Sequence, residues 1–162
     1  PAACQKKRTN MQNAFTFLMR VRYADCDAQQ VVFNAKYAEY FDVAATEYIR
    51  AVWGSFNSLL DKGLDSQVVS LKIDWKSSAV FDDIVGIRMA TTNIGNSSYS
   101  VGAEFFNYDT NEVYAYGTVV YVMVSTSDYT KVAIPDDFRK TIEAGAPGLL
   151  VNHAGVVAKV LE

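Results

Sequence analysis

One stretch of this chain repeats apolar residues at helical spacing for longer than any other. Tyr37, Phe41, Ala44, Ala45, Tyr48, Ile49, Val52 and Trp53 fall at i, i+4, i+7, i+8, i+11, i+12, i+15 and i+16. That is the 3.6-residue period of a helix with one broad apolar side. Both ends are marked, because Asn34 is a favoured N-cap type and Gly54 a favoured residue just beyond a helix C-terminus. A single long helix with so broad a stripe needs a sheet to cover it.

The rest of the pattern supplies that sheet. Residues 15–23 alternate, with Phe15, Phe17, Met19, Val21 and Tyr23 on one face and Thr16, Arg20 and Arg22 on the other, which predicts a half-buried strand. Residues 67–75, 84–92, 99–107 and 113–125 are rich in Val, Ile, Tyr, Phe and Thr and read as four more strands. Asp82-Asp83, Asn93-Ile94-Gly95-Asn96 and Asp109-Thr110-Asn111 punctuate them. Connections this short favour an antiparallel meander over βαβ units. Ile134-Pro135 opens a short helix that ends near Gly145. The fold class is therefore α+β, an antiparallel sheet wrapped around one long central helix. Such a sheet has long edges to pair or blunt, so a homo-oligomer joined at an edge is expected.

At 162 residues the chain is expected to hold one domain over 15–142. Residues 1–14 read as a leader, disordered or a processing or expression remnant. Residues 143–162 read as a tail, either helical against a partner subunit or mobile. The net charge of −3 and pI near 5.2 give no basic field for nucleic acid. The one basic run, Lys6-Lys7-Arg8, lies in the leader. No stretch reaches the roughly 18 apolar residues of a membrane span. Two cysteines, Cys4 and Cys26, make a poor disulfide framework, so a reducing, cytoplasmic setting is the expectation.

Chemistry concentrates between the first strand and the long helix, in Asp25-Cys26-Asp27-Ala28-Gln29-Gln30-Val31-Val32-Phe33-Asn34. A carboxylate loop just ahead of a helix start sets a base or nucleophile near free backbone N–H donors, the two parts that acyl cleavage needs. Asp27 has a plainer reading as an Asx-turn residue, and Asn34 one as a simple N-cap. Asp25 is an alternative base. Cys26 as a nucleophile would need a neighbouring base, and the one histidine, His153, sits in the tail. That scarcity also excludes a His-rich metal site. Glu39 and Asp42 read as solvated or salt-bridged helix-surface acids.

The spacing from Asp27 through Val31, Val32 and Phe33 to Asn34 and Tyr37 resembles the hotdog-fold acyl-CoA thioesterases of the 4-hydroxybenzoyl-CoA thioesterase type. Val21-Arg22-Tyr23, Ala45-Thr46-Glu47-Tyr48 and Ile134-Pro135 fit as well. The resemblance covers residues 15–142. It implies a hotdog fold and hydrolysis of an acyl-CoA or acyl-carrier-protein thioester. It also implies a homodimer or homotetramer, with no cofactor beyond the coenzyme A of the substrate. Asp27 would be nucleophile or base, the N–H groups of Asn34 and Ala35 would hold the oxyanion, and Gln30, Phe33 and Tyr37 would line the substrate pocket. A non-catalytic acyl-CoA-binding protein is the alternative. Ser97, Ser98, Lys72, Lys76 and Lys131 are candidates to meet coenzyme A phosphates or the substrate across a dimer interface. The family's glycine falls on Gln30, which either narrows the acyl pocket or offers it an amide.

Overall fold

A computed structural model describes residue 11 and residues 13–157. Cys4, the Lys6–Arg8 run and most of the leader lie outside the described residues, as do the last five residues of the tail. The elements in chain order are β1 (Phe15–Arg20), α1 (Lys36–Trp53), β2 (Leu64–Trp75), β3 (Ile84–Ile94), β4 (Ser98–Asn107), β5 (Val113–Ser125), α2 (Asp136–Ala144) and β6 (Leu150–Asn152). The strands form one sheet in the order β2-β5-β4-β3-β1-β6. All neighbours run antiparallel except β1 and β6.

The helical stripe is the core. Tyr37, Tyr40, Phe41, Ala44, Ala45, Tyr48 and Val52 are buried against Phe15, Phe17, Ile87, Met89, Phe105 and Met123 of the sheet. Gly117 of β5 lets α1 come close, because a Cβ there would sit 2.9 Å from the Phe41 ring. The Tyr48 hydroxyl accepts the Thr91 N–H (3.2 Å) where the β3–β4 register shifts between Thr91 and Asn93. It thereby satisfies a donor that the ladder leaves out. Ile49 and Trp53, the last outward members of the stripe, are only half-buried and border a cavity.

Three sequence expectations are corrected. The first strand stops at Arg20, and Tyr23 opens a 3-10 turn (Tyr23–Asp25) with its ring 82% exposed. The turn forms because the Asp25 carboxylate draws the chain back onto the Arg22 N–H at 3.1 Å. Asn34 does not cap the helix. Ala35 holds the cap position and no side chain accepts there, because Lys36 and Tyr37 N–H already bond back to the carbonyls of Phe33 and Asn34. The tail, expected to be either helical or mobile, contains a strand: Leu150–Asn152 pairs in parallel with Thr16–Leu18. The alternating pattern there is too short to announce itself, and its partner is more than 130 residues away in the chain.

The strand beginning at Leu64 leaves one long free edge. Val68, Val69, Leu71 and Trp75 of β2 are 42–59% exposed, and a bulge between Val68 and Ser70 interrupts its pairing with β5. No helix among the described residues is long and apolar enough to cross a membrane.

Candidate functional site

The loop between β1 and α1 is a small hairpin. Cys26 bridges Val32, the Asp27 N–H donates to the Val31 carbonyl (2.9 Å), and the Gln30 N–H donates to the Asp27 carbonyl (2.9 Å). The Asp27 carboxylate accepts the Gln29 N–H at 2.8 Å, which is the Asx turn that its residue type allows. Asp27 is half-buried. Gln30 ends the turn at φ 63°, the left-handed position of a bulged hairpin loop, where glycine is the natural occupant. A glutamine held there costs about 1–2 kcal/mol of backbone strain, partly offset by glycine's larger chain entropy. Gln30→Gly is therefore expected to stabilise the protein by about 0.5–1 kcal/mol, read as a higher denaturant midpoint with an unchanged slope.

Asp25 is the anchor of the hairpin rather than a free base. Its side chain is fully buried and accepts from the Arg22 N–H (3.1 Å), Arg22 Nε (3.0 Å) and the Tyr40 hydroxyl (2.9 Å) on one oxygen, with an Arg22 terminal nitrogen (2.7 Å) on the other. Burial alone would push this carboxyl up, but the Arg22 and Tyr40 hydrogen bonds and the guanidinium charge hold it below the usual carboxylate range. The same contact, after burial, pushes the Tyr40 phenol up. The Asp25 carbonyl accepts the Phe33 N–H at 2.9 Å. Among the described residues the Cys26 thiol hydrogen-bonds to the Arg22 carbonyl alone, and burial followed by the Asp25 and Asp27 charges pushes it up, against nucleophilic use.

Downstream, the helix is entered by three tight turns, in which Lys36, Tyr37 and Ala38 donate to Phe33, Asn34 and Ala35. Asn34 and Ala35 themselves are exposed, and their N–H groups engage no acceptor among the described residues. These two free donors stand where the helix dipole is positive. Lys36 adds a cation beside them, its ammonium 2.7 Å from Glu39 and 4.0 Å from Asp25.

The three pocket candidates part company. Gln30 and Phe33 are exposed, Phe33 by 49%. Tyr37 is 1% exposed, its ring against Tyr40, Trp75 and Phe105 and its hydroxyl accepting the Ala79 N–H at 3.2 Å. It is core rather than pocket wall, because the i+3 step from Asn34 turns it under the sheet. Of the coenzyme A candidates, Lys72 is paired with Asp74 at 2.8 Å and Ser97 is buried.

A cavity of about 160 Å³ opens between α1 and the free β2 edge. Ile49, Leu59 and Leu60 give it apolar walls, and Asp42, Trp53 and Tyr121 border it. Asp42, read from sequence as a solvated or salt-bridged acid, makes no ion pair among the described residues. The buried Trp53 Nε1–H has no acceptor among the described residues. Burial, and then the Asp42 charge, push the Tyr121 phenol up to about 12. Sequence reasoning missed this trio because Tyr121 comes from a strand far along the chain. The half-burial of Ile49 and Trp53 is its structural trace. Among the described residues no three His, Cys, Asp or Glu side chains converge as metal ligands would.

Comparison with known proteins identifies the family and the fold. A model of the thioesterase superfamily matches residues 29–114, beginning two residues after Asp27. The acyl-CoA thioesterase YbgC of Haemophilus influenzae is 34% identical over 85 residues, which are 52% of this chain. The chain spans 62% of that relative's length. Among solved structures, the PA5185 protein of Pseudomonas aeruginosa superposes with TM-score 0.74 at 24% identity, over 86% of this chain and 96% of that one. A 1,4-dihydroxy-2-naphthoyl-CoA thioesterase from Synechocystis gives TM-score 0.72 at 18% identity, over 80% and 95%. At these identities the two structures speak for the fold, which is the hotdog fold.

Proposed function

The chain belongs to the thioesterase superfamily, and from that premise we propose that it hydrolyses an acyl-CoA thioester to the free acid and coenzyme A. The observation that carries the reading is the pair of unengaged N–H donors at Asn34 and Ala35, on the same hairpin unit as the half-buried Asp27 carboxylate. The thioester oxygen becomes an oxyanion against those donors, and losing one such donor typically costs about 2.7–4 kcal/mol in the transition state. Asp27 acts in one of two ways. As a base it takes a proton from water, whose hydroxide adds to the carbonyl carbon and expels the thiolate. As a nucleophile it expels the thiolate itself, forming an anhydride that water then cleaves. Both routes consume one water and yield acid plus thiol.

The cavity on α1 supports a destination for the acyl group. Ala35, Ala38, Asp42, Ala45 and Ile49 lie at i, i+3, i+7, i+10 and i+14, one face of the helix. From Ala35 to Asp42 is about 10 Å along the axis. A cavity of about 150 Å³ holds a single benzene ring, so this one suits a compact acyl group over a long chain. Asp42, Trp53 and Tyr121 would then meet a polar substituent on it. A second copy pairing along β2 would cover the cavity mouth and place its own residues beside the hairpin. A monomeric mass in sedimentation would remove that element.

The test is free-thiol release from a panel of acyl-CoAs that includes benzoyl, hydroxybenzoyl, short-chain and palmitoyl thioesters. Compact acyl groups are expected to turn over best, and a ring hydroxyl should raise kcat/KM by about 10- to 100-fold, the worth of a hydrogen bond to a charged group. Preference for palmitoyl would refute the cavity assignment. Binding without turnover on every thioester would make the protein an acyl-CoA binder instead of an enzyme.

A further inference from the structure

Residues 76–83, which join β2 to β3, run alongside the catalytic hairpin and bond to it and to the first turn of α1. The Ala79 carbonyl accepts the Val32 N–H at 2.8 Å, Val80 bridges Val31, and the Ala79 N–H donates to the Tyr37 hydroxyl in the first turn of α1. This strap therefore grips the chain on both sides of Phe33-Asn34-Ala35, the segment with the free donors.

The strap is itself held at both ends by one residue of β5. The Tyr114 carbonyl accepts the N–H groups of Lys76 (2.7 Å) and Ser77 (3.1 Å) at its start. At its end the Tyr114 hydroxyl donates to Asp83 Oδ2 at 2.6 Å, and the same oxygen accepts the Val80 N–H at 2.9 Å. Asn107 Nδ2 donates to the Tyr114 oxygen at 2.7 Å, which leaves the phenolic proton to Asp83. Asp83 also reaches the near end of the hairpin, its carbonyl accepting the Val21 N–H at 2.9 Å. Tyr114 is 2% exposed and Asp83 half-buried. None of these groups lies on the hairpin, so the proposed chemistry does not use them directly.

We propose that Asp83 and Tyr114 are positioning residues that set the Asn34 and Ala35 donors by clamping the strap beneath Val31 and Val32. The inference rests on the thioesterase reading for its effect on rate, but not for its effect on structure. Asp83→Ala removes the acceptor of both Val80 and Tyr114. A displacement of about 1 Å at a reacting group can cost on the order of 100-fold, so kcat is expected to fall about 10- to 100-fold with KM nearly unchanged. Asp83→Asn keeps a carbonyl oxygen able to accept both bonds and is expected to restore most of that loss. Tyr114→Phe leaves the Val80 bond in place and should show a smaller fall in kcat, and it serves if Asp83→Ala does not fold.

Amide hydrogen exchange supplies the readout that is independent of activity. At Val32 it should quicken by roughly tenfold in Asp83→Ala, the equivalent of one weakened hydrogen bond, and return toward wild type in Asp83→Asn. Unchanged exchange at Val32 in folded Asp83→Ala or Tyr114→Phe would overturn the proposal. So would quickened exchange with unchanged kcat, since the strap would then move without moving the donors. If wild type cleaves no thioester while the exchange pattern holds, the thioesterase reading fails and the clamp on the hairpin stands.

Discussion

Asp27→Asn is expected to lower kcat on the best acyl-CoA by about 10²–10⁴-fold, the usual contribution of a positioned general base. The substitution is the sharpest available, because it changes charge and little else. Among the described residues the Asp27 side chain's one hydrogen bond is to the Gln29 N–H at 2.8 Å, and an asparagine Oδ1 accepts that bond equally well. The hairpin should keep its shape, with the Cys26–Val32 bridge and the thermal midpoint unchanged. What disappears is the negative charge that either route requires, addition to the carbonyl or removal of a proton from water. Steady-state thiol release alongside a thermal melt separates the outcomes. Wild-type turnover in the variant would exclude Asp27 from the chemistry. A lost activity accompanied by a lost fold would make its role structural.

The acid two residues earlier should behave in the opposite manner, with its large effect on stability. Asp25→Asn is expected to destabilise the protein by about 2–4 kcal/mol in denaturant unfolding. The ion pair is the smaller part of this, because the Arg22 side chain is 66% exposed and water can take over its charge. The larger part is geometry. The Asp25 carboxylate faces donors alone, from Arg22 and from the Tyr40 hydroxyl, and an asparagine amide would turn two N–H groups toward one of them. With its oxygen kept in the Oδ2 place, the amide sets its N–H groups against the Arg22 terminal nitrogen; flipped, it leaves the Tyr40 hydroxyl, in a residue only 1% exposed, with neither acceptor nor water.

The pH dependence carries a definite sign. The folded protein holds the Asp25 carboxyl below its ordinary value of 3.8, so the ionised form favours folding. Its contribution is complete above 3.8 and is lost as the pH falls through the lower, folded-state value. The difference in unfolding free energy between wild type and Asp25→Asn should therefore be flat through neutral pH and shrink in acid. A difference that grew on acidification would contradict the assignment.

These two acids show how far the residue pattern alone reaches. The pair on a loop before a helix was visible, and so was the stronger candidacy of Asp27. Which acid is buried was not visible, since Tyr40 and Arg22 reach Asp25 only once α1 has docked. The long helix and β3 to β5 declare themselves because their periodicity is local. Gln30 stood out as a departure from the family's glycine, and its φ of 63° gives the backbone reason for that glycine. Tyr114 and Asp83, 31 residues apart, are joined by the sheet, and Tyr121 meets Asp42 only where α1 docks on it; no spacing rule brings either pair together. β6 is the extreme case, three residues that become a strand through a partner near the other end of the chain.

That short strand has a consequence for how the molecule can grow. β6 offers only three residues of unpaired backbone at its side of the sheet, too few to template another strand. The opposite side offers the twelve residues of β2. A sheet with one blunt flank and one adhesive flank can add a copy of itself once, edge to edge about a two-fold axis. The adhesive flanks are then consumed and the blunt ones point outward. If two copies pair along β2, as the proposed dimer would, that pairing is self-terminating, because the three-residue β6 leaves only blunt flanks outward.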